Sequence, residues 1–72
     1  MTSHQATENP SHVVAVINTS PDTVDILKDL FERAGFVVAT TFTHDIRDGK
    51  VDLEAFLRVH RPDVIVYDIA PP

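Results

Sequence analysis

The sequence predicts an α/β domain built on a parallel sheet, and three observations carry that prediction. Two unbroken apolar runs, Val13-Val14-Ala15-Val16-Ile17 and Val64-Ile65-Val66-Tyr67, are short, β-branched and free of alternation. Such runs read as strands buried on both faces, as in a parallel sheet. Between them lie two segments whose apolar residues recur at helical spacing, so strands and helices alternate. With 72 residues, the chain holds one domain at most.

Residues 1–11 are polar and aperiodic, and are expected to form a disordered tail. The first strand is expected at Val13–Asn18. Ser20 then suits a helix N-cap, with Pro21 at the first helical position, where its missing N–H costs nothing. A helix over 21–34 follows, with Val24, Leu27, Leu30, Phe31 and Ala34 on one stripe and Gly35 as its stop. Asp22 and Asp25 near its start and Arg33 near its end suit the helix dipole.

Residues 36–42 are rich in Val, Thr and Phe and read as a second strand. The stretch 43–50 is polar, carries the turn signal Asp48-Gly49, and is expected to be a surface loop. Asp52 can cap a second helix over 53–61, whose apolar face is Leu53, Phe56, Leu57 and either Val59 or His60. Pro62 ends it, because the residue before a proline avoids the helical region. The last strand, 64–69, delivers Asp68 to its carboxyl end, where open α/β sheets bind their ligands.

Composition removes several function classes. Eleven acidic residues against six basic ones give a net charge of −5, with no basic stripe for a phosphate backbone, so nucleic acid is not an expected partner. There is no cysteine, hence no disulfide framework or thiolate metal site. No apolar run approaches the roughly 18 residues of a membrane span, and no basic-then-apolar leader opens the chain. A cytoplasmic protein without a membrane partner is the expectation. Four histidines (His4, His12, His44, His60) show no metal-ligand spacing. His44-Asp45 is a weak ligand pair at best. No glycine-rich phosphate loop and no nucleophile elbow are present.

From residue 12 onward the chain resembles the first half of a response-regulator receiver domain. The segment Arg61-Pro62-Asp63-Val64-Ile65-Val66-Tyr67-Asp68-Ile69-Ala70-Pro71-Pro72 matches that family's Pro-Asp, four apolar residues, Asp, and a later Pro. Ala34-Gly35-Phe36 resembles the family's entry to the second strand. The resemblance implies a flavodoxin-like, three-layer fold, present here as an incomplete βαβαβ unit over 12–72 with parallel strand order 2-1-3. It implies that Asp68 is the phosphoacceptor, that the Ala70 backbone carbonyl binds metal, and that Pro72 stiffens the loop. The chain would then serve a two-component phosphorelay as a phosphoprotein, with a histidine kinase or phosphotransfer protein as partner. It would be no enzyme beyond Mg²⁺-dependent self-phosphorylation at Asp68.

The chain departs from the family at the end of the first strand. Where the family carries two adjacent acids, anchoring on Pro21 finds Asn18 and Thr19. Asn18 would be a weak metal ligand in place of an acid, so Mg²⁺ is expected to bind weakly. Asp22 and Asp45 could substitute, though not at the family's spacing. A phosphorylation-independent pseudo-receiver, acting as a protein-interaction module, is therefore the alternative. A cofactor-binding α/β module is a further one, although the Asp-x-His-x-x-Gly element of cobalamin-binding domains is missing from Asn18 onward. The family's fourth and fifth strands, with their hydroxyl residue and lysine, have no counterpart. The chain is expected to be truncated, or to have a second chain cover the edge of its last strand.

Overall fold

The computed structural model describes residues 12–68. Six elements follow in order: β1 (Val13–Asn18), α1 (Pro21–Arg33), β2 (Val37–Phe42), α2 (Thr43–Arg47), α3 (Leu53–His60) and β3 (Val64–Tyr67). The expected tail over 1–11 and the segment 69–72 lie outside the described residues.

The sheet is parallel in both of its pairings, with order β2-β1-β3. β1 is the middle strand. Its residue Ala15 faces Ala39 on one side and Ile65 on the other, and Ile17 faces Thr41 and Tyr67. Five consecutive residues, Val14 to Asn18, are buried, as an uninterrupted apolar run requires. Side chains alternate across the sheet. Val14 and Val16 point to the face that α1 covers, where Val24 is buried and Leu27, Phe31, Phe36, Val38, Phe42 and Val66 pack around them. Phe31 and Phe36 meet edge to face, with ring centroids 5.9 Å apart, a favoured aromatic geometry. On the opposite face Ala15, Ile17, Ala39 and Thr41 are also out of solvent.

The expected helix signals act as read. The Ser20 hydroxyl accepts the Thr23 N–H at 3.3 Å, and Pro21 opens α1. Gly35 ends it at φ +97°, a conformation that favours glycine. Asp52 Oδ1 accepts the N–H groups of Glu54 and Ala55 at 3.0 and 3.3 Å. α3 stops at His60, and Arg61 takes the left-handed conformation at φ 47° immediately before Pro62.

Four expectations are corrected. The stretch 43–50 is not simply a loop, because Thr43–Arg47 forms the short helix α2 directly after β2. Its end is held by Gly49 N–H to the Ile46 carbonyl at 3.1 Å and by Lys50 and Val51 N–H groups to the Asp45 carbonyl at 2.9 and 3.1 Å. Ile46, its one apolar residue, is half-buried. Second, the apolar stripe of α1 is narrower than its sequence suggests, since Leu30 is 57% exposed and Ala34 is exposed too. Third, α3 buries no residue fully: Leu53, Phe56 and Leu57 are half-buried, while Val59 and His60 are exposed.

The fourth correction concerns β3. Its unbroken apolar run predicts burial on both faces, yet Val64, Ile65 and Tyr67 are about half exposed and only Val66 packs into the core. Among the described residues β3 pairs with β1 alone, and none of them covers either face of it as β1 is covered. Burial of a strand is set by what lies over it, which its own residues do not encode.

Asp63 anchors the start of β3. Its N–H donates to the Val13 carbonyl at 2.8 Å, and its carboxylate accepts the Val13 N–H at 2.8 Å. Replacing the carboxylate by a methyl leaves the Val13 N–H to water. Asp63→Ala should therefore lower stability by about 1 kcal/mol, given the solvent access of this hydrogen bond, read as a lower urea midpoint. At Arg61 the opposite sign is expected. Arg61→Gly relieves the left-handed backbone penalty and should raise stability by roughly 0.5–1 kcal/mol in the same measurement.

Candidate functional site at the carboxyl edge of the sheet

Strand order β2-β1-β3 sends the chain from β1 to β2 on one side and then back across to β3 on the other. The reversal lies between β1 and β3. In doubly wound sheets a crevice forms at that point, outside the carboxyl ends of the strands. Asp68 and Asn18 both stand there.

The Asp68 N–H donates to the Ile17 carbonyl at 3.1 Å, so the β1–β3 ladder continues one residue beyond β3. That bond fixes Asp68 beside Asn18. The alternation that points Val66 toward α1 puts Asp68 on the same face, and Asn18 follows Val14 and Val16 onto it as well. Asp68 is exposed. Its carboxylate is thus positioned by backbone pairing and open to an incoming reactant.

Asn18 is only 8% exposed, and its Oδ1 accepts the Ser20 N–H at 2.9 Å. This is an Asx turn that bends the chain from β1 into α1. Thr19 is exposed in the bend that follows. The two positions expected to replace an acid pair therefore differ: one is a buried turn-former with one lone pair already engaged, the other a solvated hydroxyl. Asp22 is exposed in the first turn of α1.

β2 brings a third group of residues to the same edge, because Phe42 faces Asn18 in the register. The His44 ring stacks on Phe42 with centroids 5.4 Å apart and planes 17° from parallel. His44 Nε2 lies 3.8 Å from Asp45 Oδ1, beyond a hydrogen bond. The Thr43 hydroxyl is buried without a hydrogen-bond partner. Sequence reasoning did not single out Thr43 or the Phe42–His44 stack, because it read this stretch as a loop; the signal was Ile46, one apolar residue inside an otherwise polar run.

Metal chemistry has little support from these donors. Among the described residues no three His, Asp or Glu side chains converge, and there is no enclosed pocket. Mg²⁺ is held by carboxylates, waters and substrate phosphates. Among the described residues Asp68 is the carboxylate that backbone pairing fixes at the switch point, and Asn18 Oδ1 is already an acceptor for Ser20. The residues present do not fit a tightly held Mg²⁺. The Ala70 carbonyl, expected as a further ligand, and Pro72 lie outside the described residues.

No family model, curated protein or solved structure matches the chain. The site is therefore interpreted from its own chemistry.

Two substitutions separate the turn role of Asn18 from a ligand role. Asn18→Ala leaves the Ser20 N–H without its acceptor and should cost about 1–2 kcal/mol in a denaturation curve. Asn18→Asp keeps an acceptor there. Combined with Thr19→Asp, it should raise Mg²⁺ affinity at least tenfold in a calorimetric titration, since it adds two carboxylates beside Asp68.

Proposed function

We propose that this chain is a receiver-like module of a two-component phosphorelay, flavodoxin-like in its chain path, with Asp68 as its phosphoacceptor. The observation that carries this reading is the placement of Asp68. A backbone hydrogen bond to β1 holds it at the β1–β3 switch point, exposed, and beside Asn18. A carboxylate in that setting can act as a nucleophile toward phosphorus. In the transfer, a carboxylate oxygen of Asp68 forms a bond to the phosphorus of a phosphohistidine, the P–N bond breaks, and the imidazole leaves with the bonding pair. The donor would be a cytoplasmic histidine kinase or phosphotransfer protein.

One specific observation favours a second reading. Asn18 is committed to the turn and brings no negative charge, so it gives little help in holding a Mg²⁺ that would neutralise the incoming phosphoryl group. A pseudo-receiver would keep the fold and act by binding partners without phosphorylation.

The two readings part on one experiment. Incubated with acetyl phosphate and Mg²⁺, the phosphorelay module should gain the mass of one phosphoryl group, and Asp68→Ala should abolish the gain. No gain by the unaltered chain, or a gain that survives Asp68→Ala, refutes phosphotransfer at this position. Full signalling by Asp68→Ala in cells would instead establish the pseudo-receiver.

A further inference from the structure

Asn18 uses one end of its side-chain amide in the turn, and the end left over decides what the site can hold. Its Oδ1 accepts the Ser20 N–H at 2.9 Å. A backbone N–H can only donate, so the amide oxygen must be the atom that faces Ser20. The hydrogen bond fixes the amide in one orientation, and the side chain, in a residue only 8% exposed, has little room to turn. The other end is the Nδ2 amino group, which carries two N–H donors. Among the described residues it has no hydrogen-bond partner.

Asp68 lies across the ladder from Asn18. The pairing of Ile17 with Tyr67 continues one step further through the Asp68 N–H and the Ile17 carbonyl, 3.1 Å apart. Neighbouring strands are about 4.8 Å apart, so Asn18 and Asp68 project side by side from one face. A group carried on the exposed Asp68 carboxylate therefore has a fixed amide as its neighbour.

The nature of that neighbour sets the charge the site favours. Acids in this place would hold a divalent cation, and without one they would repel a phosphoryl group. An amino group that can only donate is no ligand for a cation, but it suits the anionic oxygens of a phosphoryl group.

We propose that the Nδ2 amino group of Asn18 binds the phosphoryl group on Asp68 in the place of a divalent cation, so that phosphorylation here is independent of Mg²⁺. This role rests on Asp68 being the phosphoacceptor. With acetyl phosphate as donor, a carboxylate oxygen of Asp68 forms a bond to phosphorus, the P–O bond to the acetyl group breaks, and acetate leaves with the bonding pair. The three outer oxygens of the phosphoryl group carry negative charge through the transfer. The Asn18 amide, already oriented by the turn, donates to one of them without having to reorganise.

The test follows the mass gain of the full chain with acetyl phosphate, once with Mg²⁺ and once with EDTA. The two rates should agree. Asn18→Asp keeps an acceptor for the Ser20 N–H, and with it the turn, but replaces the donor by a charged oxygen. In EDTA it should be slower by about tenfold or more, as expected for the loss of one such donor, and Mg²⁺ should restore its rate. In the ¹⁵N-labelled unaltered chain, phosphorylation in EDTA should shift the side-chain amide signal of Asn18. A gain that requires Mg²⁺ overturns this proposal and leaves phosphotransfer at Asp68 standing. An Asn18→Asp rate in EDTA equal to that of the unaltered chain, or an unmoved Asn18 amide signal, overturns it as well. No gain in either buffer refutes phosphotransfer itself, and this role with it.

Discussion

Both ladders of the sheet run through β1, and five of its six residues are buried. β2 and β3 are not neighbours in the sheet; among the described residues each pairs with β1 alone. The α1 face exists because Val14 and Val16 present an apolar surface for Val24 to cover. The carboxyl edge exists because Asn18 and the Ile17 carbonyl end the strand where Asp68 is docked. A one-residue slip of β1 would exchange its two faces, putting Ala15 and Ile17 where Val14 and Val16 pack under α1 and turning Asn18 away from Asp68.

Burial falls away from that axis. β1 is covered on both faces, β2 in part, and β3 hardly at all. α3 contributes half-buried side chains and no fully buried one. The ion pairs at helical spacing, Lys28–Glu32, Arg33–Asp29 and Arg58–Glu54, are all substantially exposed, and pairs of that kind contribute about 0.3–0.5 kcal/mol each. They add slightly to helix stability and leave the gradient of burial unchanged. The candidate site sits where that gradient is steep, between a buried Asn18 and an exposed Asp68.

This contrast also explains the chemistry. Asn18 is legible as a turn former from its place before Thr19-Ser20-Pro21, and the structure gives it that task through the Ser20 N–H. Asp68 is legible as the residue a strand would carry to the ligand-binding edge, and the ladder places it there. Only the structure shows that the two stand on one face at the reversal of strand order while a third group, Thr43 to Asp45, arrives from β2. That stretch reads as a loop because it is polar apart from Ile46, which is half-buried in the short helix.

The residues alone determined the alternation of strands and helices, the parallel sense of the sheet, the N-caps of α1 and α3, and Asp68 as the acid at the edge. Each of these rests on local chemistry: β-branched runs, a proline after a serine, a glycine that tolerates positive φ. The tertiary structure decided the rest. β3 carries the same kind of apolar run as β1, yet β1 is covered and β3 is open, because coverage depends on which elements lie over a strand. The same dependence narrows the α1 stripe at Leu30 and leaves Val59 in solvent. Periodicity specifies which face of an element is apolar; only packing specifies how much of that face leaves water.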